Sequence, residues 1–221
     1  MSNSLVENLQ KAEADALRLF HRIEELGFIR AGRMESDVNR DIFQLAEKEF
    51  GVTKFWHKRI VRAGENTLHP YDVNPPDLKI QQDDILFLDF GPIFEAYEAD
   101  VGRTYVIGND PVRLKLAEDI EHAWYVARDY FFSHPMLTAS EFYTYCVALA
   151  QSYGWEFGGE IAGHVIGQFP HVNIGPEKHH SYLHPENNSR IISEETPYWI
   201  IEIHFVDKVK KIGGFFEQLA I

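Results

Sequence analysis

Residues 85–104 read ILFLDFGPIFEAYEADVGRT, and two aspartates stand in this otherwise largely apolar stretch. The apolar run 85–90 predicts a buried strand, and Asp89 lies inside it. An ionised aspartate is rarely buried unless it is paired or bound to a metal ion. A turn at Gly91-Pro92 would fold the chain back as a hairpin and bring Asp100 beside Asp89. Two adjacent carboxylates repel each other unless a cation neutralises them or one takes a proton.

The same oddity, an acid inside an apolar strand, occurs twice more near the other end of the chain. Residues 198–203 read YWIIEI and contain Glu202, and residues 215–219 read FFEQL and contain Glu217. For Asp89 alone, an ion pair with Arg103 would explain the burial equally well. Four carboxylates embedded in apolar strands are costly, and a metal cluster explains them better than four separate salt bridges.

A histidine segment offers a nitrogen ligand for the same cluster. Residues 162–167 read AGHVIG and place His164 close to two glycines, where the backbone can pass near a site. His171 follows seven residues later. A single histidine is usually a packing or surface residue, but here it accompanies four acids that have no other explanation.

The order of predicted elements repeats along the chain. An amphipathic helix opens with a capping box at Ser4 and Glu7, and a second helix begins after Ser36 and ends at Gly51. Strands are predicted at 55–61, 85–90 and 97–107. Helices follow from Asp110-Pro111 to about 132 and from a capping box at 138–141 to residue 154, with further strands at 198–206 and 215–221.

Helix–helix–strands therefore occurs twice, which predicts two similar halves, about residues 1–109 and 110–221. Equivalent positions differ by 154 − 51 = 103 residues at the second-helix stops and by 202 − 89 = 113 at the first acidic strand residues. Each half has too few strands to close its own core, so we expect one catalytic domain over residues 1–221. The expected fold class is α+β.

Composition limits the partners and the location of the protein. The formal net charge is 21 − 34 = −13, which disfavours nucleic acid and anionic membranes as partners. No apolar run approaches the roughly 20 residues that a membrane span needs. The N-terminus lacks a basic and then apolar secretory pattern, so a cytoplasmic protein is the expectation.

Together these motifs resemble metallopeptidase family M24, which includes methionine aminopeptidase, Xaa-Pro aminopeptidase and prolidase. The resemblance covers nearly the whole chain, and the run DVGRTY at 100–105 leans toward the Xaa-Pro aminopeptidase side. It implies the duplicated pita-bread fold, with a central, curved and mainly antiparallel sheet and helices on its outer face. It also implies a peptide substrate and is compatible with a homodimer.

The resemblance assigns a role to each site residue. Asp89 would chelate one metal ion, Asp100 and Glu217 would bridge both ions, and His164 and Glu202 would hold the other. His69 and His171 match substrate-contacting histidines of the family, and Glu202 would also shuttle protons. His204 lies two residues after Glu202 on the same strand face. It is either a substrate or supporting group or a partly exposed strand histidine.

Several positions depart from the family pattern. Xaa-Pro aminopeptidases carry a large N-terminal domain, whereas this chain begins with the catalytic-domain helices, so no such domain is expected. The arginine two residues before the last glutamate is Phe215 here, the acid that often follows the second histidine is Val172, and Pro170 replaces a pocket phenylalanine. These differences concern substrate preference more than the metal ligands.

The expected activity is metal-dependent hydrolysis of an N-terminal peptide bond in a short peptide or dipeptide. Oxygen ligands with one imidazole suit two divalent ions such as Mn, Co, Fe or Zn, which would share a bridging hydroxide and polarise the scissile carbonyl. Two alternatives remain: a peptide- or protein-binding member of the fold without catalysis, and a metal-free hydrolase related to creatinase.

Overall fold

The computed structural model describes residues 4–170, 178–192 and 198–221. Within these ranges lie four long helices: α1 (Leu5–Glu25), α2 (Glu35–Phe50), α3 (Pro111–Ser133) and α4 (Ala139–Tyr153). The strands are β1 (Ile60–Ala63), β2 (Asp84–Phe90), β3 (Ile93–Phe94), β4 (Tyr97–Glu98), β5 (Val101–Ile107), β6 (Glu156–Phe157), β7 (Gly163–Ile166), β8 (Tyr198–Asp207) and β9 (Ile212–Ala220). Short 3-10 helices span Gly64–Leu68 and Lys178–Ser181.

The helix boundaries follow from local capping chemistry. Ser4 accepts a hydrogen bond from the backbone of Glu7, and the Glu7 carboxylate reciprocates, so the predicted capping box opens α1. The capping box at the start of α4 forms in the same way. Gly51 and Gly154 end α2 and α4 in the left-handed conformation, which glycine adopts without steric cost.

Seven of the strands form a single sheet in the order β1-β2-β5-β9-β8-β6, with β7 also paired to β8. Every pairing recorded between these strands is antiparallel. The prediction of an α+β protein with a mainly antiparallel sheet is therefore confirmed. The strands β3 and β4 form a separate two-stranded hairpin.

The helices cover one face of the sheet and create the hydrophobic core there. The helices α1 and α2 pack on residues such as Leu86, Leu88 and Val61, while α3 and α4 pack on Ile201 and Phe216. Because side chains alternate along a strand, the residues between these apolar ones point to the opposite face. That opposite face carries the acids Asp89, Glu202 and Glu217, so the core and the candidate site lie on different sides of the same strands.

Two predicted strands differ from those observed. The strand predicted at 55–61 begins only at Ile60, and Phe55 makes an isolated bridge to Pro92. The strand predicted at 97–107 is interrupted at Ala99-Asp100, between β4 and β5. Both differences place irregular backbone beside the acids, where side chains can approach the site at angles that a regular ladder would not allow.

Among the described residues, none of the helices combines the length and the apolar character that crossing a bilayer would require.

Candidate metal centre

A row of facing residues crosses four strands on the face opposite the helices. The cross-strand register pairs Asp89 with Gly102, Gly102 with Glu217, and Glu217 with Glu202. Directly opposed residues of neighbouring antiparallel strands place their side chains on the same face, about 5 Å apart. The sheet thus brings together three acids that are separated by up to 217 − 89 = 128 residues in the chain.

Gly102 keeps space open in the middle of this row. A Cβ atom at this position would lie 2.5 Å from the Phe215 ring and 2.9 Å from Glu217 Cβ, closer than packed carbon atoms approach each other. Any larger residue would therefore displace the wall of the site. The absent side chain leaves a gap between the carboxylates of Asp89 and Glu217.

Asp100 completes the acidic set from the interruption between β4 and β5. Its side chain is 1% exposed and lies between two imidazoles. His164 Nε2 is 3.1 Å from Asp100 Oδ2, and His57 Nε2 is 3.0 Å from Asp100 Oδ1. The ring of His164, on β7, also lies 3.5 Å from Glu217 Oε1. The predicted residues Asp89, Asp100, His164, Glu202 and Glu217 therefore converge on one site.

His57 belongs to the same site, although the sequence patterns did not identify it. It lies in the irregular segment before β1, where we expected a strand, and its Nε2 is 3.5 Å from Asp89 Oδ1. The signal that could have found it is the predicted repeat of element order. His57 precedes His164 by 164 − 57 = 107 residues, which falls between the repeat offsets of 103 and 113.

These residues fit divalent cations. Two groups each place three ligand atoms within 4.8 Å of one another, namely His57, Asp89 and Asp100, and Asp100, His164 and Glu217. Asp89 Oδ1 is buried without a hydrogen-bond partner among the described residues, and a buried carboxylate oxygen is costly without a donor or a cation. Four carboxylates carry a charge of −4 when ionised, which two divalent cations would balance.

The pKa values of three of these acids show that their ionised forms are disfavoured when no ion is bound. Burial raises the pKa of Asp89 to about 7, and burial likewise raises that of Glu202 to about 7. Burial and the neighbouring acids raise the pKa of Glu217 well above its usual range. Without ions, protons neutralise these acids, whereas in a cation site the bound ions would neutralise them.

The pKa values of Asp100 and of the two histidines beside it shift in the direction that favours their charged forms. Burial alone would raise the pKa of Asp100, but His57 and His164 outweigh this effect and hold it below its usual range. Burial alone would lower the pKa of His57, but Asp100 and Asp89 raise it to about 9. The hydrogen bonds and charges of Asp100 and Glu217 raise the pKa of His164 well above its usual value.

A cavity of about 380 Å³ lies over this cluster and includes a second row of side chains on the same face. Each member is two residues along its strand from the acidic row, with Phe87 opposite Arg62 and Phe215 opposite His204. The rings of Phe87 and Phe215 lie 5.3 Å apart. The cavity therefore has the acids at one end and an apolar floor formed by Phe87 and Phe215. The cationic Arg62 lies beside this floor, opposite Phe87.

The three remaining histidine predictions have different outcomes. His69 follows the 3-10 helix Gly64–Leu68 and lines the cavity, and the guanidinium of Arg62 donates to its backbone carbonyl. His204 also lines the cavity, but it is 4% exposed and its Nε2 donates to the carbonyl of Thr67 at 2.8 Å. A partly exposed His204 is thus excluded. His171 lies outside the described residues.

The ion pair between Asp89 and Arg103, the alternative to a metal site, does not form. Arg103 is opposite Leu88, so its side chain points to the face away from Asp89. Its guanidinium donates to the carbonyls of Gly102 and Glu217 at 2.8 Å. Arg103 therefore connects β5 to β9 behind the acids and does not neutralise them.

Comparisons with known proteins agree with this geometry. The sequence model of metallopeptidase family M24 matches residues 7–218. A Mycoplasma pneumoniae protein described as a "Putative Xaa-Pro aminopeptidase" is 34% identical over 99 residues, which are 43% of this chain and 27% of that protein. The chain thus spans about a quarter of this curated relative.

Solved structures share the fold over the length of the chain. Dipeptidase PepE from Mycobacterium ulcerans is 25% identical with a TM-score of 0.77, and covers 99% of this chain and 55% of its own. Prolidase from Pyrococcus furiosus is 21% identical with a TM-score of 0.73, and covers 99% of this chain and 60% of its own. The predicted pita-bread fold is confirmed, and the chain spans just over half the length of these two proteins.

Proposed function

The chain belongs to metallopeptidase family M24, and on this premise we propose that it is a dinuclear, metal-dependent peptidase that cleaves an N-terminal peptide bond. The proposed ligands are Asp89, Asp100, His164, Glu202 and Glu217. The observation that carries the proposal is the position of Asp100, which is shared by two groups of ligand atoms on its two sides. A shared carboxylate is the arrangement that holds two cations close together.

Bound divalent ions would supply an activated water and would polarise the scissile carbonyl. The remaining tasks fall to side chains of this chain. Glu202, which lies opposite Glu217 in the acidic row, can accept a proton from the attacking water and deliver it to the leaving amine. His69 lines the same cavity and can donate a hydrogen bond to the substrate backbone.

The cavity favours a short peptide substrate. Its volume of about 380 Å³ is at the small end of the roughly 300–1,000 Å³ typical of small-molecule pockets. The floor formed by Phe87 and Phe215 suits an apolar side chain or a proline ring next to the cleaved bond. Arg62 and His204 form the far end of this floor, beyond the acids. We therefore propose dipeptides and tripeptides, including Xaa-Pro, as substrates.

A dipeptide assay with defined metals tests the proposal. The protein is stripped with a chelator, reloaded with Mn, Co, Fe(II) or Zn, and incubated with Xaa-Pro, Met-Xaa and general dipeptides. We expect cleavage that depends on reloading, that disappears in Asp100→Ala, and that persists in the control Asp129→Ala, which alters an exposed acid on α3. N-acetylated substrates should resist cleavage. A fully loaded protein that is inert on every substrate would instead favour a binding protein on this fold.

A further inference from the structure

Two histidines flank Asp100 in almost the same way. His57 Nε2 is 3.0 Å from one oxygen of Asp100, and His164 Nε2 is 3.1 Å from the other. His57 also lies 3.5 Å from Asp89, as His164 lies 3.5 Å from Glu217. Each imidazole thus faces Asp100 and one further acid, and the two arrangements lie on opposite sides of the shared carboxylate.

Both rings are fixed by their second nitrogen. His57 Nδ1 is 2.7 Å from the carbonyl oxygen of Lys58, and His164 Nδ1 is 3.0 Å from that of Val165. A carbonyl oxygen only accepts, so each Nδ1 donates and carries the proton of the neutral ring. In the protein without ions each Nε2 therefore points at the acids and donates to Asp100, and a bound cation would take the place of that proton. Metal-binding histidines are commonly oriented by such a bond from the other nitrogen.

The surroundings of His57 make room for its ring. A Cβ atom at Gly91 would lie 2.5 Å from His57 Nε2, so only glycine at this position lets the imidazole reach the acids. Trp56 packs edge-on against the ring with centroids 4.5 Å apart, and its indole nitrogen donates to the carbonyl of Ala99. The side chain of His57 is 8% exposed. The imidazole is therefore held in one orientation before any cation is bound.

We propose that His57 Nε2 is a sixth ligand of the metal centre and binds the ion that Asp89 chelates. This inference rests on the dinuclear site of the proposed function. One ion would have His57 and Asp89 as its own ligands, the other would have His164 and Glu202, and Asp100 and Glu217 would serve both. The two halves of the chain would then contribute equivalent ligand sets, at offsets of 107 and 113 residues.

A different role for His57 is a charged one. A protonated His57 would form ion pairs with Asp89 and Asp100 and would occupy the space of one cation. The neutral, metal-bound role predicts a nitrogen ligand at both ions. Nitrogen ligands favour Zn, Co and Fe over Mn and Mg, so the metal preference of the two sites should be similar.

X-ray absorption spectroscopy on the protein loaded with two equivalents of Zn separates these roles. Imidazole ligands give a characteristic multiple-scattering signal, from which the number of imidazoles per metal ion is obtained. Two histidine ligands for two ions give an average of one imidazole per ion, whereas His164 alone gives one half. We expect one imidazole per ion in the unaltered protein, and one half in His57→Phe. This measurement on the unaltered protein does not depend on how any variant folds.

Metal affinity gives a second readout, measured with Zn and a competing chelator. His57→Phe should weaken the binding of one of the two ions at least tenfold and leave the affinity for the other nearly unchanged. Losing a group that only hydrogen-bonds to a ligand already costs tenfold or more in metal affinity. His164→Phe should weaken the binding of one ion by a comparable factor. The control His122→Phe alters an exposed histidine on α3 and should bind both ions as the unaltered protein does. His57→Gln repeats the test in case the phenylalanine disturbs folding.

Two results would overturn the assignment of His57. One is two bound ions with half an imidazole each in the unaltered protein. The other is a folded His57→Phe that retains both ions with unchanged affinity. Both leave the dinuclear peptidase intact. A protein that binds fewer than two ions would contradict the dinuclear premise itself, so the two failures can be told apart.

Discussion

Glu13 provides a stability test of the packing behind the metal centre. This glutamate lies on α1 and is 6% exposed, and its Oε1 accepts a hydrogen bond from the backbone of Leu219 at 3.3 Å. Its Oε2 has no hydrogen-bond partner among the described residues. Burial raises the pKa of Glu13 to about 8, although Arg103 acts in the opposite direction. Replacement by glutamine, which is nearly isosteric and cannot ionise, should therefore stabilise the protein at alkaline pH.

The magnitude follows from the difference between the folded and unfolded pKa. The folded value is about 8 and the ordinary value is 4.5, a difference of 3.5, and each pKa unit corresponds to about 1.4 kcal/mol. Because the folded pKa is raised, the neutral carboxyl contributes its full stability below pH 4.5. That stability is lost as the pH rises to about 8. At pH 8 and above, Glu13→Gln should be more stable by about 5 kcal/mol.

Urea denaturation of the chelated proteins at pH 5, 6, 7 and 8 measures this difference. The free energy of unfolding of Glu13→Gln should diverge from that of the unaltered protein by about 1.4 kcal/mol per pH unit. Glu118→Gln, which alters an exposed residue on α3, should run parallel to the unaltered protein. If Glu13→Gln also runs parallel, Glu13 is ionised in the folded state and the reasoning from its burial is wrong.

Three further predictions concern the site itself. Chelation of divalent ions should lower Tm more at pH 8 than at pH 5, because the pKa values of Asp89 and Glu202 are raised to about 7. The empty protein then loses stability as the pH rises from about 4 to 7; equal losses in calorimetry at both pH values would contradict this. Gly102→Ala places a Cβ against an aromatic ring of β9 and should cost about 1–3 kcal/mol in urea denaturation, with loss of bound metal by mass spectrometry. Arg62→Met removes the buried guanidinium that donates to the carbonyls of His69, Tyr71 and Val73, so it should raise KM about tenfold or more and also lower Tm, measured by dipeptide kinetics and calorimetry.

The helices and the chemical type of the site could be predicted from the sequence because they depend on local signals. A capping box or a glycine stop acts within one helical turn, so Glu7 and Gly154 mark helix ends wherever the rest of the chain lies. Acids inside apolar strands such as 85–90 and 198–203 are costly in any fold that buries those strands. Their number and order were therefore enough to predict a metal cluster and the family resemblance.

Only the tertiary structure decided which groups face these acids. Asp89 could have paired with Arg103 on sequence grounds, but the register of β2 and β5 places the two side chains on opposite faces of the sheet. His57 lies in an irregular segment without periodicity, and its partner Asp100 is 43 residues away. Such contacts depend on strand register and on the space left by Gly91, neither of which is encoded within a few neighbouring residues. Local hydrogen bonding fixed the elements, whereas the packing of distant strands fixed the ligand geometry.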